Sequence, residues 1–205
     1  VSNMGTTMFG SVDNPEVYCT LYEKHHLEYK LHIDGAYGGF VYPFSNPQST
    51  LNFNDPKISS ITIDAHKMLQ SPYGTGIFIC RKGLIENVLT KEAEYVEGMD
   101  LTLCGSRSGA NAVAVWMILF TYGAYGWFEK VSILQMRTQF LCSELEKLNI
   151  NYFREPFMNI VTIHAESIPE KIAEKYDLVP QQHNENNKWY KIVLMDHVEV
   201  EHLTK

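Results

Sequence analysis

The first part of the chain alternates short apolar segments with glycine turns, a pattern that predicts β-strands. Residues 31–34 read as one strand, and the glycine-containing stretch after them ends it. Residues 60–64 (SITID) are β-branched and unbroken, as in a strand of a sheet that is buried on both faces. Residues 74–80 predict a third strand. Residues 82–91 then favour a helix, and a polar, glycine-containing loop follows up to residue 108.

From residue 110 the pattern becomes helical. Residues 110–125 are apolar nearly all round, which predicts a buried helix. Apolar residues then recur at three- and four-residue steps, which predicts an amphipathic helix of about six turns: Trp127, Val131, Leu134, Leu141, Leu145 and Leu148. Strand-like segments at 157–164 and 189–195 enclose a helix-like segment at 169–176. This order predicts an α/β chain whose βαβ-rich half precedes a smaller α+β half.

Charge and composition exclude several classes of protein. Seventeen Lys and Arg against 24 Asp and Glu give a net charge of −7 over 205 residues, and 45% of the residues are hydrophobic, as in globular proteins. A pI near 5.6 without a basic stripe argues against nucleic-acid binding. The longest apolar run, 112–120, is far shorter than the ~20 residues that span a bilayer.

The chain begins without a basic region followed by an apolar one, so we expect no signal peptide and a cytoplasmic location. The four cysteines, Cys19, Cys80, Cys104 and Cys142, are scattered and form no CxxC pair. This spacing predicts reduced thiols and no metal site.

The tetrapeptide at 64–67 (DAHK) stands where a buried strand is predicted to end. Lysine is among the residues least often buried, so Lys67 at this place requires an explanation. Desolvation lowers the pKa of an amine and frees its lone pair, which a Schiff-base lysine requires. His66 beside it could hydrogen-bond a phosphate or a carboxylate. A solvated lysine just past a strand is the alternative, and the tetrapeptide taken alone favours that alternative.

Asp34 ends another predicted strand and is followed by the small residues Gly35 and Ala36. A carboxylate in this position can pair with the ring nitrogen of a flat aromatic ligand, and Ala36 would let the ring lie against the protein. A protonated pyridine nitrogen held by Asp makes pyridoxal phosphate an electron sink. An Asp that accepts backbone hydrogen bonds in a glycine turn is the alternative. An aspartate and a lysine at separate strand ends, both beside Gly or Ala, favour the cofactor site.

Several segments resemble the group II pyridoxal-phosphate-dependent amino-acid decarboxylases. They are 31–39 (LHIDGAYGG), 59–76 (SSITIDAHKMLQSPYGTG) and 3–13 (NMGTTMFGSVD), the last of which resembles the family's preceding strand and its GTT turn. Residues 105–109 (GSRSG) and 192–203 (IVLMDHVEVEHL) are most similar to the archaeal-type tyrosine/aspartate decarboxylase branch. The resemblance extends through nearly the whole chain.

The resemblance implies part of a fold type I pyridoxal-phosphate-dependent transferase, which is aspartate aminotransferase-like. Residues 1–108 would be the C-terminal part of the large domain, 109–126 a connecting helix, and 127–205 an incomplete small α+β domain. In the family, a glycine- and serine-rich phosphate turn and a ring-stacking histidine lie upstream of the GTT turn, and this chain has neither. We therefore expect a chain cut at both ends: a truncated or proteolysed product, or one half of a two-chain enzyme.

The resemblance also implies roles for individual residues. Lys67 would form the internal aldimine with pyridoxal 5'-phosphate, and Asp34 would pair with the pyridinium nitrogen. Ala36 would support the ring. His66 would lie near the phosphate or the substrate carboxylate, and Thr6 in the GTT turn would approach the cofactor.

Two further roles concern the loop before the long helix. Arg107, with Ser106 and Ser108, would reach the phosphate or the substrate, including that of a neighbouring subunit. An ion pair at the helix entry is the alternative for Arg107. Tyr95 falls where relatives carry a tyrosine that protonates the carbanion, and a mobile loop would exclude water there. A solvated loop tyrosine is the alternative for Tyr95.

The implied activity is decarboxylation of an L-amino acid to the amine with release of CO2. We expect an amino-acid substrate and a homodimer with the site at its interface, or a second chain that supplies the missing N-terminal half. Neither a nucleic acid nor a membrane is expected as a partner. One alternative is a carbon–carbon (aldehyde) lyase of the sphingosine-phosphate lyase kind, which shares the Asp…His-Lys layout. A non-catalytic fragment or interaction module is the other, and the sequence leaves the substrate open.

Overall fold

The computed structural model describes residues 1–88, 107–181 and 188–199, which form two four-stranded sheets and a long helix. The strands of the first sheet are β1 (Ser2–Asn3), β2 (Leu31–Asp34), β3 (Ile58–Asp64) and β4 (Gly76–Cys80), in that order. β1, β2 and β3 are parallel, and β4 is antiparallel to β3. The three strands predicted in this half are confirmed, with ends within two residues of the prediction.

Two short helices complete the first half. Helix α1 (Glu16–Lys24) crosses from β1 to the parallel strand β2, as a parallel pair requires. Helix α2 (Tyr42–Ser45) is a single turn after β2. The helix predicted over 82–91 is wrong in its described part, where only a 3₁₀ turn at Ile85–Val88 forms. Gly83 has φ +87°, in the left-handed region, and so an α-helix cannot run through it.

The first sheet buries one face and leaves the other partly exposed. Its core includes Ile33, Ile58 and Ile61 with Cys19 of α1. On the other face, Phe78 stacks on His32 and is 52% exposed. The expectation that β3 is buried on both faces is confirmed in part, since its residues are all buried or half-buried, whereas Phe78 of the neighbouring β4 is exposed. The apolar sequence of a strand indicates that both of its faces favour burial. It does not show whether other elements pack against both faces.

Helix α3 (Gly109–Lys147) runs from the first sheet to the second. Gly123 interrupts it with φ 59° and ψ −173°, and a glycine in the left-handed region bends a helix there. Beyond Gly123 the amphipathic prediction is confirmed, since its apolar stripe is buried: Trp127, Val131, Leu134, Leu141 and Leu145. Leu148, the last residue of the predicted stripe, is the C-cap and is exposed. The predicted domain boundaries at 108 and 126 stay predictions.

Residues 110–125, called here the first segment of α3, are helical as predicted, but they are not buried. Trp116, Phe120 and Tyr125 are 61%, 77% and 74% exposed. A helix that is apolar all round is typical of a protein interior, and the described residues cover little of this one. In the described part of the chain, no helix combines the length and the apolar content that crossing a membrane requires.

The second sheet is antiparallel and packs on the far end of α3. Its strands are β5 (Tyr152–Phe153), β6 (Ile160–His164), β7 (Val179–Pro180) and β8 (Trp189–Val193), in the order β5-β6-β8-β7. Helix α4 (Glu170–Lys175) follows β6, so the strands and the helix predicted here are confirmed with shorter bounds. Leu141 and Leu145 of α3 meet Val161, Ile163 and Ile192 in one core.

Gly38 allows the turn after β2 to approach β1 closely. Its amide donates to the Met4 carbonyl oxygen at 2.9 Å, and a Cβ on Gly38 would overlap that same oxygen. We expect Gly38→Ala to lower the free energy of unfolding by about 2 kcal/mol or more, because backbone has to move. Urea unfolding measures the change. Gly109→Ala is the control, since a Cβ there meets nothing within 4 Å; equal stability of the two variants would contradict the expectation.

Candidate active site

A cavity of about 500 Å³ lies where the carboxyl ends of β1, β2 and β3 face the second sheet. The first sheet and its turns contribute Asn3, Thr6, Asp34, Ala36 and Lys67, and the second sheet contributes Ile160, Lys191 and Val193. In open α/β sheets, ligands bind outside the carboxyl ends of the strands. The structure therefore brings four of the predicted site residues, Thr6, Asp34, Ala36 and Lys67, to one cavity.

Asp34 is the last residue of β2, and its side chain is exposed to the cavity. Its Oδ1 accepts a hydrogen bond from the Ala36 amide at 3.1 Å. This bond is the turn interaction that the sequence offered as the alternative to a cofactor contact. The structure shows that Asp34 makes this turn bond and faces the cavity at the same time.

Lys67 lies in the turn that follows β3, and its Nζ is 3.0 Å from Oδ2 of Asp64. The side chain of Lys67 is 41% exposed. The expectation of a desolvated Lys67 is therefore wrong for the chain described here, because the ammonium has a carboxylate partner and contact with solvent. Asp64 contacts the site through Lys67, and no role was predicted for it, although it belongs to the DAHK tetrapeptide.

Thr6 reaches the cavity from a tight turn after β1. Gly5 and Gly10, with φ +95° and +65°, adopt the left-handed backbone that this turn requires. Thr6 holds the turn from both ends: its carbonyl accepts from the Gly10 amide at 2.9 Å, and its Oγ1 accepts from the Ser11 amide at 3.0 Å. The small residues predicted to form a cofactor turn thus place a threonine at the cavity.

The remaining predicted residues are placed elsewhere or lie outside the described residues. In the described part of the chain, His66 and Arg107 do not line the cavity. His66 donates from Nδ1 to the Thr75 carbonyl at 3.1 Å, and its ring packs edge-on against Tyr73. Arg107 is exposed two residues before α3 begins. Tyr95 and Ser106 lie outside the described residues, and all four roles stay predictions.

Lys191 is the main site residue that the sequence reasoning missed. Its Nζ donates to the Thr7 carbonyl at 3.0 Å, and burial lowers the pKa of Lys191. Side chains of alternate residues share one face of a strand, and Lys191, Val193 and Met195 accordingly all line the cavity. The sequence does contain a sign that Lys191 is unusual: it is a lysine within an apolar, strand-like segment. Lys67 drew attention for a similar reason, as a lysine next to a predicted buried strand.

The profile of the pyridoxal-dependent decarboxylase conserved domain matches residues 1–161, so the chain belongs to the pyridoxal-dependent decarboxylase family. It is 58% identical over 201 residues to the tryptophan decarboxylase of Clostridium sporogenes, covering 98% of this chain and 48% of that protein. It is 37% identical over 179 residues to a probable L-tyrosine/L-aspartate decarboxylase of Methanocella arvoryzae, covering 85% and 47%. The chain spans about half the length of the curated relatives it matches.

Solved structures confirm the expected fold. The sphingosine-1-phosphate lyase of Burkholderia pseudomallei matches with a TM-score of 0.82 at 16% identity, covering 99% of this chain and 49% of that one. The glutamate decarboxylase of Lactobacillus brevis matches with a TM-score of 0.77 at 20% identity, covering 95% and 49%. At this level of identity the likeness concerns the fold, which is the fold type I architecture predicted from the sequence.

The side chains of the cavity fit pyridoxal phosphate, the cofactor of this family. Lys67 offers an amine for the aldehyde of the cofactor, and Asp34 offers a carboxylate for its ring nitrogen. The side chain of Ala36 is a single methyl group, against which a flat ring can lie. A volume of about 500 Å³ is in the usual range for cofactor and small-molecule sites.

Proposed function

We propose that the protein decarboxylates an L-amino acid to the corresponding amine, with release of CO2, using pyridoxal phosphate. The observation that carries this proposal is that the Lys67 amine and the Asp34 carboxylate line the same cavity. Membership of the decarboxylase family supports it. When bound, pyridoxal phosphate supplies an electron sink for the electron pair that remains at Cα after CO2 leaves.

The chain's own residues would bind, orient and move a proton. Lys67 would hold the cofactor through Nζ, Asp34 would hold its ring nitrogen, and Ala36 would support the ring. Asp64, at 3.0 Å from Nζ, orients the Lys67 ammonium whenever that amine is not bound to the cofactor. Lys67 or Tyr95 would then return a proton to Cα of the product.

Lys191, which lines the cavity from the second sheet, would bind the α-carboxylate of the substrate. We expect Lys191→Met to raise KM about tenfold or more while kcat changes much less, because a hydrogen bond to a charged group is lost. Because burial lowers the pKa of Lys191, substrate binding should weaken with rising pH before an exposed lysine would lose its charge. Steady-state kinetics against pH measure both effects. Lys188→Met, at an exposed position beside the same strand, should leave KM unchanged, and an equal rise in both variants would contradict the role.

The cavity wall suggests the class of substrate. Ile160, Val193 and Met195, from β6, β8 and the residues after it, are apolar residues of the cavity lining. Such a wall suits an apolar or aromatic side chain better than a second carboxylate. A relative that is 58% identical is named tryptophan decarboxylase, and we propose L-tryptophan as the first substrate to test.

Product analysis tests the activity. The protein, alone and in a version extended to the length of its relatives, is incubated with pyridoxal phosphate and L-tryptophan, L-tyrosine, L-aspartate or L-glutamate. Equal amounts of CO2 and amine support the proposal, with L-tryptophan turned over fastest. An aldehyde product would show the carbon–carbon lyase instead. The absence of any product from the extended version would favour the non-catalytic alternative.

We also propose that the enzyme is a homodimer, with a second copy against the first segment of α3. The support is the exposed apolar surface of Trp116, Met117 and Phe120, since exposed patches of this kind mark interaction sites. Phe120→Glu should shift the mass measured by light scattering from dimer to monomer. A monomeric wild-type protein would contradict the dimer and would favour the second-chain alternative. The cytoplasmic location stays a prediction.

A further inference from the structure

A buried asparagine stands where several segments of the cavity wall meet. Asn159 is completely buried and directly precedes β6. Its Oδ1 accepts a hydrogen bond from the Tyr37 hydroxyl at 2.8 Å, and its Nδ2 donates to the Leu194 carbonyl at 2.9 Å. Nδ2 also lies 4.0 Å from Sδ of Met68. Both polar atoms of this side chain are therefore satisfied, and their orientations are fixed.

Each partner of Asn159 is a cavity residue or the neighbour of one. Tyr37 lines the cavity and follows Ala36. Met68 follows Lys67, and Leu194 stands between the lining residues Val193 and Met195. One amide thus connects the turn after Asp34 and the turn of Lys67 to the strand that carries Lys191.

The sheet register transmits the position of Asn159 to Lys191. Ile160, the next residue after Asn159, pairs with Val193, and Thr162 pairs with Lys191. The Asn159 carbonyl also accepts from the Leu194 amide at 2.9 Å. A shift of the Asn159 backbone would therefore shift the paired residues at this end of β6 and β8. Lys191, which belongs to β8, would shift with them.

The two sheets are also joined on the Thr6 side of the cavity. Lys191 donates to the Thr7 carbonyl at 3.0 Å, and the Phe9 ring packs edge-on against Trp189 and Phe153. The Tyr37–Asn159 bond is the corresponding connection on the Asp34 side. Burial raises the pKa of Tyr37, so its hydroxyl stays protonated and remains a donor near neutral pH.

We propose that the Tyr37–Asn159 hydrogen bond is a positioning device for substrate recognition. It sets the separation between the Asp34–Lys67 side of the cavity and Lys191, so that the carboxylate of a bound amino acid reaches the Lys191 ammonium. Errors of about 1 Å in such placements have large effects on enzymes. This inference rests on the proposed function and adds two positioning residues, Tyr37 and Asn159, to it.

Ligand binding to the holoenzyme tests the inference without relying on turnover. Tyr37→Phe removes only the hydroxyl and keeps the ring. We expect the dissociation constant of L-tryptophan, taken from the cofactor absorbance after rapid mixing and before turnover, to rise about five- to tenfold. The constant for tryptamine, which lacks the carboxylate, should stay within about twofold. Asn159→Ser, which cannot reach the hydroxyl, should show the same selectivity if Tyr37→Phe does not yield folded protein.

Two further variants distinguish a positioning role of the Tyr37–Asn159 hydrogen bond from a general loss of protein stability. Tyr152→Phe removes a tyrosine hydroxyl that donates to Glu146 at 2.6 Å, away from the cavity, and it should change neither constant. In the Lys191→Met background, Tyr37→Phe should weaken L-tryptophan binding no further, because the hydroxyl acts through Lys191.

Three results would overturn the inference: equal weakening of both ligands, no weakening of either, or effects of Tyr37→Phe and Lys191→Met that multiply. A wild-type holoenzyme that binds neither ligand would contradict the proposed function itself. A wild type that binds both ligands, with variants that show no selectivity, would contradict only the positioning role.

Discussion

Replacing Lys67 by arginine is expected to reduce kcat at least about a thousandfold while the protein remains folded. Arginine keeps the positive charge that pairs with Asp64 across 3.0 Å. Its guanidinium stays protonated, however, and has no free lone pair with which to form a covalent bond to the cofactor. The substitution therefore separates the charge of Lys67 from its nucleophilicity. The side chain is 41% exposed, so the larger arginine does not have to enter a packed core.

The matched control for this substitution is Lys57→Arg. Lys57 also pairs with a carboxylate, Glu16, at 2.8 Å, but it lies outside the cavity. We expect full activity in this variant and the same unfolding midpoint as in the wild type. Steady-state amine production and thermal unfolding, both measured with saturating pyridoxal phosphate, decide the comparison. If Lys67→Arg kept more than about a tenth of the wild-type kcat, Lys67 would not hold the cofactor.

Asp34→Asn is expected to reduce kcat about a hundred- to a thousandfold. The asparagine carbonyl can still accept the hydrogen bond that the Ala36 amide donates to Oδ1 at 3.1 Å, so the turn keeps its shape. What would be lost is the negative charge that we propose faces the ring nitrogen of bound pyridoxal phosphate. Without that charge the nitrogen is less readily protonated, and the electron pair left at Cα is stabilised less.

Asp55→Asn is a close control for this charge effect. Its Oδ1 accepts from the Lys57 amide at 2.9 Å, which is the same bond to the second following residue that Asp34 makes. Asp55 is not part of the cavity wall. We expect kcat of this variant within about twofold of the wild type. Similar losses in the two variants would show that the turn bond matters, and the charge at Asp34 would then have no special role.

The strands of the first sheet were predictable from the sequence, and so was the meeting of Asp34 and Lys67 at one cavity, because both depend on local sequence patterns. The apolar segments at 31–34, 60–64 and 74–80 each stand beside a glycine-containing turn, and all three are strands. The carboxyl ends of parallel strands share one edge of a sheet, so residues that end such strands meet there. Ala36 follows Asp34 directly and was predictable with it, and the resemblance to the decarboxylases added Thr6; both line the cavity.

The contribution of the second sheet was not predictable from local pattern. Lys191 reaches the cavity only because β8 pairs with β6 and with β7, in an order that differs from the order along the chain. Asn159 and Tyr37 meet through a bond between residues 122 positions apart. Such contacts depend on tertiary packing, which the period of apolar residues does not encode.

The sequence patterns overestimated the burial of two apolar segments and of Lys67 for a related reason. The apolar segments 60–64 and 110–125 show which surfaces are apolar, but they do not show what covers them. Trp116 and Phe120 remain exposed among the described residues, and so does Phe78. The same limit applies to Lys67, whose strand end predicted desolvation while the structure shows a solvent-accessible ion pair with Asp64.

A covalent bond between Lys67 and pyridoxal phosphate can be detected directly. The chain, and a version extended to the length of its relatives, is mixed with pyridoxal phosphate, reduced with borohydride, digested and mapped by mass spectrometry. We predict one phosphopyridoxyl adduct, on Lys67, and none after Lys67→Arg. An extended protein without label on Lys67, or with its label on Lys191, would contradict the assignment of Lys67 as the residue that holds the cofactor.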